Sequence, residues 1–259
     1  MGLSRIDESE WLVADDQRDH ELVLKRSLLR DHRDDVLLTL PALDPDPACT
    51  ELQRMLVRLW GSDPTIDPEF QGDRDPLERA ALSVQEDLCV LLPDATGQLV
   101  LAAACVCFPS HWRLADKMGA PAWAIHEPVP RYDDELANKV DTFLDRLRPP
   151  AVMKRRNWTI HESADLFAPH SPARADPTIL PEELWLRSER QTLRRLPETD
   201  SVVFTIRTQQ VQIRVLQQRP DIAGRLADRL AAQPDDRARY AGFSAHVPAL
   251  VHRLQTWRS

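Results

Sequence analysis

The chain has 259 residues, 42% of them apolar, and a formal charge of −8 at pH 7: enough apolar material for one substantial core, and no basic surplus for holding polyanions. Seven glycines against 21 prolines leave no Walker loop and no dinucleotide fingerprint, whose chemistry needs backbone close to phosphate. A nucleophile-elbow serine, a Cys-x-x-Cys pair and two histidines at the spacing of a helical zinc site are also absent, and Cys49, Cys89, Cys105 and Cys107 form no disulfide framework.

The acidic N-terminus (Asp7, Glu8, Glu10, Asp15, Asp16) has no apolar leader-like run, and no stretch is long enough to span a bilayer. A cytoplasmic protein without membrane or nucleic-acid partners is expected. Helices are predicted around Leu22, Leu28 and Leu29, around Leu52, Met55, Leu56, Leu59 and Trp60 up to Gly61, and around Leu77, Ala80, Ala81 and Val84. A loop rich in Pro and Asp separates the last two. Short apolar runs from Leu88 to Leu92 and Leu99 to Phe108, with Pro93, Asp94 and Gly97 between, predict a hairpin.

Asp133, Asp134 and Glu135 start a helix that Pro149 and Pro150 stop; its apolar face is Leu136, Val140, Phe143, Leu144 and Leu147. The proline-rich stretch His170–Pro181 predicts a loop or lid. Trp185 to Leu196 is expected to be helical, Ser201 to Arg207 a third strand, and Val211, Ile213 and Val215 a fourth. A final helix from Ser244 to Trp257 buries Val247, Leu250, Val251 and Leu254. The sum is an α+β chain, an antiparallel sheet flanked by helices.

Two basic clusters interrupt the acidic chain: Lys154, Arg155 and Arg156, and Arg187, Arg190, Arg194 and Arg195. Either could hold the carboxylates of a bound cofactor. Projecting 185–196 on a helix of about 100° per residue puts Glu189 amid Leu186, Leu193 and Leu196, with Arg187, Arg190 and Arg194 on one flank and Gln191 beyond. A carboxylate there is buried, so it is either salt-bridged, to a neighbouring arginine or to Arg207, or functional, as counter-ion to a cationic substrate or as proton relay.

His126, in Ala-Trp-Ala-Ile-His-Glu-Pro-Val-Pro, is held rigidly by the following prolines and suits a metal or haem ligand or a hydrogen-bonded core residue; His161 and His111 compete. Cys105 and Cys107, two apart on a predicted strand, share a face and read as core residues or as a thiolate ligand.

Four blocks then stand out: Val-Gln-Glu-Asp-Leu from Val84; Phe-Pro-Ser-His-Trp-Arg-Leu-Ala-Asp-Lys-Met-Gly from Phe108; Ile-His-Glu-Pro-Val-Pro from Ile125 with Arg-Asn-Trp at 156–158; and Arg-Ser-Glu-Arg-Gln-Thr-Leu-Arg-Arg-Leu-Pro from Arg187. In order and spacing the chain resembles the haem-dependent oxidative N-demethylase family over nearly its whole length. The resemblance implies a single haem-binding PAS-like domain over residues 1–259, with an N-terminal helical extension and a C-terminal helix. It implies haem b, O₂ as co-substrate, and electrons from a separate NAD(P)H-dependent reductase.

By motif position, His126 becomes the iron ligand, with His161 and His111 as runners-up. Glu189, Asn157, Arg156 and Trp158 form the catalytic pocket, and Arg113, Lys117, Arg187 and Gln191 contact the cofactor, the cations at its propionates. The expected function is monooxygenation of a small cationic nitrogen compound: N-demethylation of an amine, or N-hydroxylation of an amine or guanidine such as arginine. The rival from another class is a haem PAS-type gas sensor. Departures from the family pattern are His111, where a basic residue is expected, and His161.

Overall fold

A computed structural model describes residues 2–60, 75–122, 134–170, 175–234, 238–239 and 242–258, without the side chains of residues 60 and 134–139. Seven strands form one antiparallel sheet in the order β1-β5-β6-β7-β3-β4-β2. They are β1 (Ser4–Ile6), β2 (Leu37–Thr39), β3 (Asp87–Pro93), β4 (Leu99–Cys105), β5 (Val152–His161), β6 (Trp185–Arg195) and β7 (Val202–Gln212). The helices are α1 (Arg18–Asp31), α2 (Arg33–Val36), α3 (Asp46–Trp60), α4 (Pro76–Ala81), α5 (Asp134–Arg146), α6 (Pro220–Ala231) and α7 (Val247–Thr256). The α+β class, the β3–β4 hairpin and the helices α1, α3, α4, α5 and α7 agree with the sequence reading.

At the hairpin, Asp94 Oδ1 accepts from the backbone N–H of Thr96 (2.8 Å) and Gln98 (3.1 Å), and Gly97 supplies the positive φ of 87° that the turn requires. The Pro76 helix is started by Asp75, whose carboxylate accepts from Leu77 N at 2.7 Å.

Residues 185–195 are a strand, not the expected helix. A helix would set Glu189 beside an arginine flank, but β6 lies inside the sheet and pairs along its whole length with β5 and β7. Tertiary pairing outweighs the weak local preference of this polar stretch. Its partner β5 was visible in the sequence only as a basic cluster, because Lys154, Arg155 and Arg156 mask the alternation that begins at Val152. The expected fourth strand is instead the end of β7, followed by a 3-10 helix from Ile213 to Gln218. Helix α6 had no forecast, and Leu59 stands 45% exposed rather than in the core.

Side chains alternate across the sheet, so each face carries its own programme. On one face Leu88, Val90, Val152 and Val203 pack with Leu28, Leu52, Leu56 and Leu77 from α1, α3 and α4. Further along the same face, Ile160, Trp158 and Leu186 pack with Leu226, Leu230, Leu250 and Leu254 of α6 and α7. The other face presents Cys89, Leu91, Met153, Leu193 and Phe204 to Val140, Phe143 and Leu144 of α5. Arg195 fastens α5 there: its Nε donates to Leu147 O (2.8 Å) and its Nη2 to Leu144 O (2.7 Å), a cation on the carbonyls at a helix C-terminus.

Buried charge ties the N-terminal segment to the sheet. Arg207 meets Asp15 at 2.7 Å and Glu21 at 2.8 Å. Lys25, fully buried, donates to the carbonyls of Ala81, Val84 and Glu86 at 3.3, 3.1 and 2.5 Å and stands 3.9 Å from Asp87. Asp87 in turn accepts from the N–H groups of Cys107 and Phe108, setting the start of the segment that carries His111 and Trp112.

Candidate functional site

Between the α5 face of the sheet and α5 lies a partly open cavity of about 100 Å³. Cys89, Leu91, Met153, Leu193, Phe204 and Ile206 make its floor, Val140, Phe143 and Leu144 its roof, and Trp112 and Ala122 a side wall. Its polar wall is formed by Arg155 and Gln191, register partners on β5 and β6. This is the usual character of a small-molecule site, apolar with a few placed polar groups.

A hydrogen-bond chain runs from that wall into the protein. Arg155 Nε donates to Gln191 Oε1 (2.6 Å), and Gln191 Nε2 donates to Glu189 Oε2 (2.9 Å). The Gln191 amide is thereby fixed in one orientation. Glu189 is 9% exposed, so the expected burial of this carboxylate holds although the element is a strand. Asn157 on β5 and Thr208 on β7 are its register partners and share its face. Arg207, a candidate salt-bridge partner in the sequence, lies on the opposite face with Asp15 and Glu21.

Arg187, two residues before Glu189 on the same face, is fully buried. Its Nη1 donates to Leu166 O (3.1 Å) and its Nη2 to Phe108 O (2.5 Å) and Pro109 O (3.3 Å). Burial pushes its pKa down, opposed by the charges of Glu189 and Asp87. The guanidinium is therefore a clamp holding segments 108–109 and 166 against the sheet. The rest of the basic cluster is similarly occupied: Arg190 donates to Trp11 O at 2.8 Å and to Glu10 O, while Arg194 pairs with Glu8 at 2.6 Å and stacks on the Trp11 ring. Arg187, Arg190 and Arg194, expected as a ligand-holding flank, are here engaged with main-chain carbonyls and Glu8.

His161 ends β5 on the Glu189 face. Its Nε2 shares a 2.9 Å hydrogen bond with Ser110 Oγ, and its ring stacks on His111 with centroids 4.4 Å apart. Burial, with the charges of Arg187 and His111 adding, lowers its pKa to about 3, so the imidazole is neutral at physiological pH. His111 has φ of 62° and donates its N–H to Ala168 O at 2.7 Å.

Of the residues named from sequence, the structure gathers Glu189, Asn157, Gln191 and Arg187 on one face of adjacent strands. It separates Arg156 and Trp158 from them, because strand neighbours point to opposite sides. Arg156 is exposed, and Trp158 packs near Phe243 with centroids 6.4 Å apart. Arg113 is exposed and Lys117 half-buried, and neither lines the cavity. His126 lies outside the described residues. Cys105 and Cys107 are buried side by side, Sγ atoms 3.9 Å apart, in the core against the N-terminal helices and away from the cavity. Strand alternation in both β5 and β6 is the signal for this chain, since it puts Arg155 with Asn157 and Glu189 with Gln191; only the pairing of the two strands joins them.

No group of three His, Cys, Asp or Glu side chains among the described residues could hold a metal ion by itself, and no described helix is long and apolar enough to cross a membrane. Fold and site together define an α+β protein with an apolar small-molecule cavity linked through Gln191 to a buried carboxylate. Residues 58–251 match the family model described as haem-dependent oxidative N-demethylase, alpha subunit-like, and the chain belongs to that family.

Proposed function

We propose that residues 1–259 form a single PAS-like haem-binding unit, a cytoplasmic monooxygenase that oxidises a small cationic nitrogen compound. The observation that carries this is the Arg155–Gln191–Glu189 chain joining the cavity wall to a buried carboxylate. The lining has the chemistry for haem b, aromatic and aliphatic walls for a flat apolar macrocycle and the Arg155 cation for a carboxylate arm, but at about 100 Å³ the space would have to widen to admit the whole group. His126 is the proposed iron ligand. In the chain it falls between Ala122 and α5, both of which contribute to the wall. His161 and His111, outside the lining, are engaged with each other and with Ser110.

Bound haem supplies the iron that activates O₂ with electrons from a separate NAD(P)H-dependent reductase. The protein's own part is binding and proton handling. Glu189, with its 9% of accessible surface, accepts a hydrogen bond from the nitrogen of an amine or guanidine, while Gln191 and Asn157 fix the orientation of that contact. The apolar floor and roof exclude water. Arg113 and Lys117 follow Trp112 in the chain without lining the cavity, and are proposed as partners for a carboxylate arm outside it. Oxidation then leads to N-demethylation or N-hydroxylation. The gas-sensor reading is disfavoured because binding O₂ alone has no use for a carboxylate wired to the cavity.

The test is spectroscopic. Full-length protein supplied with haem is expected to show a Soret band that His126→Ala loses, and small amines or guanidines are expected to shift it unless Glu189 is changed to Gln. A wild-type protein that takes up no haem, or a His126→Ala variant with an unaltered spectrum, overturns the corresponding assignment.

A further inference from the structure

Three buried polar atoms on the Glu189 face have no partner: Arg187 Nε, Thr208 Oγ1 and Gln210 Oε1. They are neighbours. Thr208 is the register partner of Glu189 and Gln210 that of Arg187, so the four side chains form a two-by-two block on adjacent strands. The block is roofed by Phe108 and Leu166, whose carbonyls hold Arg187, and by Ala164, whose carbonyl accepts from Gln210 Nε2.

Protein interiors meet such orphaned groups with ordered water that makes two to four hydrogen bonds. The chemistry of this block selects water over an ion. Arg187 Nε only donates, Gln210 Oε1 only accepts, and the Thr208 hydroxyl does both. The guanidinium and the Glu189 carboxylate offset each other in charge, so a neutral amphiprotic molecule matches the set. Gln210 is half-buried, and its bond to Ala164 lies at the surface, which gives the compartment a route to solvent.

We propose that Arg187, Thr208 and Gln210 hold an ordered water, and that Thr208 is a positioning residue which relays protons between that water and Glu189. Arg187 Nε donates to the water oxygen, and the water donates to Gln210 Oε1 and to Thr208 Oγ1. At rest the Thr208 hydroxyl makes no hydrogen bond to Glu189; in the relay a turn of the Thr208 side chain brings it to that carboxylate, its proton passes to Glu189 and the water gives a proton to Thr208 Oγ1. The hydroxide left behind is reprotonated from solvent on the Gln210 side. The inference rests on the reading of Glu189 as the proton-handling carboxylate of the site.

Two measurements on the full-length protein, neither needing haem, test this. A crystal structure fine enough to show waters is expected to place one within hydrogen-bond distance of all three atoms. Infrared spectroscopy after mixing into D₂O, at a pH low enough to protonate Glu189 and with its band assigned by Glu189→Gln, follows exchange of the carboxyl proton. Thr208→Val is expected to slow that exchange about a hundredfold, the scale of a lost proton-transfer group, and Thr208→Ser to restore it. Should Thr208→Val not fold, Gln210→Leu carries the same expectation at a half-buried position. An empty compartment, or exchange in Thr208→Val or Gln210→Leu as fast as wild type, overturns the relay. A wild-type protein with the water and the exchange intact but no Soret band overturns the haem reading alone.

Discussion

Replacing Arg187 by Met keeps most of the side chain's length and removes the guanidinium that ties β6 to Phe108, Pro109 and Leu166. Each hydrogen bond from a charged donor is worth about 1.5–3 kcal/mol, and three carbonyls lose their donor together. Glu189 loses an opposing charge at the same time. Apolar contacts of the methionine recover part of this, so a net loss of about 3–5 kcal/mol, the usual cost of breaking a buried charged pair, is expected. For a chain of this size that is a fall in Tm of roughly 10 °C. Arg187→Lys is expected to lie between wild type and Arg187→Met, because a single ammonium lacks the fork that reaches both segments. Urea denaturation gives the free energy, and haem titration is run beside it. A loss under about 1 kcal/mol, combined with markedly weaker haem binding, would refute the clamp reasoning and return Arg187 to the cofactor.

His161 is pushed from 6.5 down to about 3 by burial, Arg187 and His111, so between those values the unfolded chain binds the extra proton; the stability is complete above pH 6.5 and drains away as pH falls toward 3. Urea melts at pH 7 and pH 4.5 are expected to differ less for His161→Gln than for wild type, and equal differences would count against a neutral buried imidazole. Burial raises the Cys89 thiol and takes Cys49 to about 12, and the hydrogen bond with Cys105, with burial adding, raises Cys107, so a thiol reagent at pH 8 is expected to label none of the three until urea unfolds the chain. Trp158→Ala is expected to cost about 2–4 kcal/mol through lost packing near Phe243, and Arg156→Ala under about 0.5 kcal/mol. Both leave ligand-induced spectral shifts intact, because their side chains lie on the face away from the cavity. A variant at either position that loses those shifts contradicts the alternation.

The apolar periodicities of α1, α3, α5 and α7 and the Asp94–Gly97 turn are local properties, and they were readable because each element buries a repeating stripe against one neighbour. Glu189 was also legible as a buried carboxylate. The reason inferred for its burial was not, because on a helix the arginines at 187, 190 and 194 share its flank, whereas on a strand Arg190 and Arg194 point to the other side of the sheet.

Composition and motif order thus determined the class, the family resemblance and the residues around which a site is built. Only the tertiary structure decided which of them meet. A strand in the middle of a sheet takes its conformation from partners far away in sequence, so the polar run 185–195 carried no strong local mark of it. Once pairing set the register, alternation sent Arg155, Asn157, Glu189 and Gln191 to the cavity side and Arg156 and Trp158 to the other. The basic cluster became a set of main-chain clamps by the same step, since buried guanidinium groups must find acceptors and the nearest ones were carbonyls of segments that sequence alone could not place beside them.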